Sequence, residues 1–128
     1  MHKELIFKYA KENFGSEPEY LWEKYPNYSV LRNKENGKWY AAIMDVPKEK
    51  LGLVGDGNVE ILNVKCDPIM IGTLLKKRGF LPAYHMNKDY WISIVISDDT
   101  ILDNEIIDLL CFSYNIVKKH KKKPNLRG

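Results

Sequence analysis

The densest group of chemically able side chains is Leu81-Pro82-Ala83-Tyr84-His85-Met86-Asn87-Lys88-Asp89-Tyr90-Trp91. Tyr84, His85, Lys88 and Asp89 together offer an acid, a base and an orienting group, the parts that general acid–base catalysis needs. Their order along a strand and turn does not by itself make them converge. A histidine whose imidazole bonds backbone to hold its own loop is the commoner arrangement. We therefore expect Tyr84, His85 and Asn87 to shape this loop, with ligand contact as the other role open to them, and no residue to be catalytic. Cys66 would be a nucleophile only beside a group that lowers its pKa; in an apolar alternation just before a helix start it reads as core. His2, His85 and His120 are scattered, without a carboxylate at ligand spacing, so neither a metal nor a cofactor is expected. Gly52, Gly55 and Gly57 do not have phosphate-loop spacing and read as turn glycines.

Nucleic-acid chemistry is the better supported class. Lys38, Trp39, Asn63, Lys65, Lys88 and Trp91 are placed to line an open sheet face or its rim, where aromatic rings stack on bases and lysines meet phosphates. The competing reading covers Trp39 and Trp91 with the aromatic segment Trp22–Pro26 as core or edge residues. Charge bears on the choice. Of 20 basic residues, Lys118, Lys119, Lys121, Lys122, Lys123 and Arg127 fall in the last eleven positions, leaving 14 against 17 acids in residues 1–117. The basic excess of +3 is thus confined to a tail able to add weak, salt-sensitive binding.

The elements that must position these residues follow from periodicity. One domain over residues 1–117 is expected, followed by a basic, partly disordered tail over 118–128. His2 to Phe14 has a helical stripe closed by Gly15, and Ser16 to Pro26 reads as an ordered loop. Tyr28 to Arg32 and Lys38 to Val46 read as strands joined by an Asn36-Gly37 turn, and Asn58 to Lys65 as a third. Asp67 and Pro68 open a second helix whose face runs through Ile71, Leu74, Leu75 and Arg78 to Gly79. Tyr90 to Ile96 alternates as a strand. Thr100 to Asp103 has capping-box spacing for a third helix, with a buried stripe of Ile106, Leu110, Ser113 or Tyr114, and Val117. The expected class is α+β: a two-layer antiparallel sheet of about five strands with helices on one face, the other face partly open. No run approaches the roughly 20 apolar residues of a membrane span, no signal peptide is evident, and two cysteines outside any CxxC pair, with one disulfide at most, favour a cytoplasmic setting with reduced thiols.

Several segments, in order, carry a family resemblance: Trp22-Glu23-Lys24-Tyr25-Pro26, Lys38-Trp39-Tyr40, Met44-Asp45-Val46-Pro47, Leu51-Gly52-Leu53, Leu62-Asn63-Val64-Lys65-Cys66-Asp67-Pro68 and Leu81-Pro82-Ala83-Tyr84-His85-Met86-Asn87-Lys88. Over nearly its whole length the chain resembles the MmcQ/YjbR family. The resemblance implies a fold like that of secretion chaperones, in the order α-β-β-β-α-β-β-α, with Leu81 to His85 as the fourth strand. It also implies DNA binding, for which paired β-hairpin wings have been invoked. The chain departs from the family pattern at Leu21 and Leu102, where prolines are usual, and in its lysine-rich tail. The expectation is a non-enzymatic DNA-binding protein; the alternative is a protein- or peptide-binding module of chaperone-like fold, or a small-molecule or enzymatic site at the Leu81–Trp91 loop.

Overall fold

Amphipathic strands and helices need one another to hide their apolar sides. In the computed structural model, which describes residues 1–119, they do so in two layers. The order is α1 (Lys3–Phe14), β1 (Ser29–Arg32), β2 (Trp39–Pro47), a 3-10 turn (Lys48–Leu51), β3 (Asn58–Lys65), α2 (Pro68–Leu74), β4 (Phe80–Pro82), β5 (Trp91–Val95) and α3 (Asp103–Lys119). The five strands form one antiparallel sheet in the order β1-β2-β3-β5-β4. This is the α+β class and element order expected.

The helix-side core joins Ile6 and Ala10 of α1 and Ile106 and Leu110 of α3 to Ala41, Ile43, Leu62, Val64, Ile92 and Ile94 of the sheet. Each fully buried Leu or Ile there contributes roughly 1.5–3 kcal/mol of transfer free energy. Helix starts follow local chemistry. The Asp67 carboxylate accepts from the Met70 N–H at 2.8 Å, with Pro68 where its missing N–H costs nothing. The Gly15 backbone, at φ 66°, closes α1 in the left-handed region.

One irregularity sets up the rest. Leu31 pairs with Ala41 but Arg32 pairs with Trp39, so Tyr40 is an extra residue in β2, a β-bulge. Simple alternation puts Trp39 on the same side as Ala41 and Ile43. The extra residue turns Tyr40 toward the helices and sends Trp39 to the opposite face, where it packs near Trp22. The bulge also opens the β2–β3 ladder at Tyr40 and Lys65. Ser113 of α3 fills the gap: its hydroxyl accepts from the Lys65 N–H at 2.8 Å and donates to the Tyr40 carbonyl at 2.6 Å.

Four expectations are corrected. α2 ends at Leu74, and Leu75 is partly exposed, because 3-10-type turns through Lys77 replace the last helical turn before Gly79 at φ 88°. β4 is Phe80–Pro82 rather than Leu81 to His85, since the chain leaves the sheet edge after Pro82 to cross the second face. Thr100 does not cap α3; its N–H and hydroxyl both donate to Asp98 in a turn of their own, and α3 begins three residues later. The second sheet face is not open over its middle. Trp22, Leu51, Leu53, Leu81 and Tyr84 roof Val30, Ala42, Met44 and Ile61. α3 runs through Lys119, and Lys121, Lys122 and Lys123 lie outside the described residues.

Candidate functional site

The second face carries the side chains singled out above, and the register shows how they line up. Arg32 is the Cα partner of Trp39, and Lys65 that of Trp91. Ala41 opposite Val64 sets Lys65 beside the bulge, next to Trp39. Arg32, Trp39, Lys65 and Trp91 therefore cross four adjacent strands as one row, alternating cation and aromatic ring. Trp39, Lys65 and Trp91 are each half-buried, and the exposed Lys38 and Lys88 flank the row, Lys38 just before β2 and Lys88 in the turn before β5. Arg32 is committed within the protein: its guanidinium sits 5.8 Å from the Trp39 ring and 3.1 Å from a Glu19 carboxylate oxygen. Lys38, Lys65 and Lys88 make no ion pair among the described residues. Lys118, near the far end of α3, is exposed.

Asn63 does not belong to this surface. It is fully buried, accepting from Ser93 Oγ at 2.5 Å and donating to Met44 Sδ at 3.7 Å. Ser93 in turn accepts from the Tyr84 N–H at 2.9 Å, so the Asn63–Ser93 pair pins the crossing loop to the sheet. An isolated polar residue in an alternating strand looks exposed by pattern; here it is buried because a loop, not solvent, covers that face.

The loop itself is shaped by Asn87, whose side chain accepts from the Asp89 N–H and whose carbonyl accepts from the Tyr90 and Trp91 N–H groups. His85 makes no backbone hydrogen bond among the described residues; its ring instead lies 4.0 Å from that of Tyr84, and its backbone is left-handed at φ 58°. Tyr84 and His85 are not joined in their cleft by Lys88 or Asp89. They line a cleft of about 480 Å³ with Lys24, Tyr25, Tyr28, Asp45 and Lys50. Burial pushes the Tyr28 phenol above its usual pKa, and Tyr84, Tyr25 and Asp45 add to the shift. Of these residues, sequence reasoning singled out Tyr84 and His85 but not Tyr28, Asp45 or Lys50, which lie far apart in the chain. Cys66 is buried as expected, its thiol pushed up to about 11 by desolvation and by Asp67.

Comparison with known proteins decides the family. The YjbR family model matches residues 13–116. The chain belongs to the YjbR family. Among its YjbR relatives, the uncharacterised protein YyaQ of Bacillus subtilis is 48% identical over 116 residues, covering 91% of this chain and 98% of YyaQ. A crystal structure of a Pseudomonas syringae protein superposes with a TM-score of 0.87 at 39% identity, covering 91% of this chain and 98% of that one. A Deinococcus radiodurans protein, DR2400, with a domain of the type DUF419, shares the fold at a TM-score of 0.71 and 20% identity, covering 92% of this chain and 79% of that one. Among the described residues no helix of this YjbR protein is long and apolar enough to cross a membrane, and no cluster of three or more His, Cys, Asp or Glu side chains is placed to hold a metal ion.

Proposed function

We propose that this YjbR protein is a non-enzymatic DNA-binding protein that engages the nucleic acid with Trp39, Lys65 and Trp91, flanked by Lys38 and Lys88. The observation that carries this reading is the row in which Arg32, Trp39, Lys65 and Trp91 alternate charge and ring across the sheet. Rings offer stacking surface worth roughly 1–3 kcal/mol per base, and each lysine that meets a phosphate releases a counterion. Lys38 and Lys88 are exposed, Lys65 and Trp91 are half-buried, and Trp39, half-buried too, packs edge-on against Trp22 with ring centroids 5.7 Å apart. The acidic balance of residues 1–117 makes binding by the body modest and strongly salt-dependent. The tail lysines add charge without a fixed geometry of their own in this proposal.

The test is a titration of labelled duplex and single-stranded DNA at several salt concentrations. It uses the full chain, a truncation after Val117, and the double variant Lys65→Ala/Lys88→Ala. Binding that survives truncation and falls roughly tenfold in the double variant, with a shallower salt slope, supports the row. Binding that disappears with the tail alone reduces the activity to lysine electrostatics. Binding of any partner that is indifferent to salt points to an apolar surface and the chaperone-like alternative.

A further inference from the structure

We infer that the cleft between the Lys24–Tyr28 segment and Tyr84–His85 is a binding site for a nucleoside monophosphate or a closely similar small planar anion. It lies further along the second face than the Trp39–Trp91 row, with Trp22 between them, packed against both Tyr28 and Trp39. Asp45 is six positions along β2 from Trp39, roughly 20 Å at a strand's rise. The cleft is lined by none of Trp39, Lys65 and Trp91, so the inference uses residues other than those of the DNA-binding reading.

The polar groups of the cleft are the first argument. Tyr28 is 92% buried as a residue, yet its hydroxyl makes no hydrogen bond among the described residues and is not sealed from solvent, so it opens into the cleft. Asp45, Tyr84, His85, Lys24 and Lys50 line the same space, and none of their side chains is paired among the described residues. Side chains that converge on one concavity without internal partners are free to bond a guest. The second argument is His85. It is the one non-glycine residue among those described with positive φ, at 58°, a conformation that costs about 1 kcal/mol outside glycine. The Asn63–Ser93–Tyr84 hydrogen bonds hold the loop in place, and the Tyr84 ring lies against the imidazole, which lines the cleft. Local strain maintained by a buried network is the pattern of a positioned binding group.

The chemistry of the lining selects the guest. Lys24 and Lys50 against Asp45 leave the cleft with a surplus positive charge, which favours an anion. Tyr25 stacked on Tyr28 at 4.6 Å, and Tyr84 with His85, present aromatic surface from two different segments, which favours a flat ring system. Asp45 is an acceptor and asks for an N–H donor on that ring; the phenol hydroxyls supply donors. A nucleobase joined to a phosphate unites the ring, the N–H donor and the anion in one molecule of a size the cleft admits.

The test is calorimetric titration of the full chain with AMP, GMP, CMP and UMP, and with inorganic phosphate and adenosine as the two halves, alongside NMR shifts of the Tyr28, Tyr84 and His85 rings. The expected result is saturable binding of at least one nucleotide, tighter than phosphate or adenosine alone by roughly tenfold or more. Lys24→Ala/Lys50→Ala then brings the nucleotide down to the affinity of the nucleoside, and Asp45→Ala brings it toward that of phosphate. Lys65→Ala/Trp91→Ala leaves nucleotide affinity unchanged. The inference is overturned if no nucleotide saturates by about 10 mM, if the cleft variants stay within about twofold of the parent while folding normally, or if the row variant removes binding. A failed DNA titration leaves these outcomes untouched, and their failure leaves the row as proposed.

Discussion

Replacing Ser113 by alanine removes one oxygen from the contact between α3 and the sheet, and the structure says what that oxygen does. It is fully buried, takes the Lys65 N–H at 2.8 Å and gives its proton to the Tyr40 carbonyl at 2.6 Å. These two backbone groups face each other across the rung that the Tyr40 bulge has opened. With alanine there, both stay buried without partners, and each costs about 1–3 kcal/mol. Part of that is recovered if the rung narrows, so we expect Ser113→Ala to lose about 2–4 kcal/mol. In a domain of this size that is roughly 8–16 °C in melting temperature. Urea unfolding followed by far-ultraviolet circular dichroism measures it, with Ser97→Ala, at an exposed position, as a control expected within about 0.5 kcal/mol of the parent. Hydrogen exchange gives a second readout: the Lys65 amide should lose protection more than amides of β5. A loss below about 0.5 kcal/mol, or a Lys65 amide as protected as before, refutes the account of the bulge.

Three further outcomes follow from particular contacts. Gly79→Ala should destabilise by about 2–4 kcal/mol in denaturant titration, because φ is 88° and a Cβ there would sit 2.6 Å from Ile101 Cδ1 and 3.3 Å from Asp98 Cβ. Ser93→Ala should cost about 1–3 kcal/mol and speed exchange at Tyr84, whose N–H donates to Ser93, while leaving amides of β1 unchanged. Stability should fall as pH rises between about 9 and 11. The Cys66 thiol, ordinarily near 9, is held at about 11 by burial, so in that window the unfolded chain releases a proton that the folded chain keeps. Below it both states are protonated and the thiol contributes no slope. Urea midpoints for the parent and Cys66→Val on either side of the window check this, the variant showing a smaller drop.

Helix starts and strand faces were legible because short-range chemistry determines them. Asp67-Pro68 announces α2, and the alternation of Ile92, Ile94 and Ile96 correctly places their side of β5 in the core. What escaped depends on chain crossing over chain. Asn63 looks like a surface amide until the 83–90 loop is laid over it. Thr100 is the local exception: it has the spacing of a cap, but Asp98, two residues earlier, competes for it. The cleft assembles Tyr28, Asp45 and Tyr84 from three separate segments, and no local pattern links them.

The position of Trp39 shows where a better reading was possible. Parity along Trp39, Ala41 and Ile43 puts the indole among the helices, and only an extra residue in β2 sends it to the face where Lys65 and Trp91 lie. A bulge leaves unpaired backbone groups, and buried backbone groups must find partners. A serine in the apolar stripe of α3, at Ser113 between Leu110 and Val117, is the kind of partner such a gap requires. The polar residue in the helix and the irregular strand are thus one feature seen from two sides. The same feature sets the register on which the proposed DNA-binding row depends. If Ser113 is lost, Trp39 and Lys65 should loosen together, and nucleic-acid affinity should fall in a variant whose altered residue lies on the opposite side of the sheet from the row.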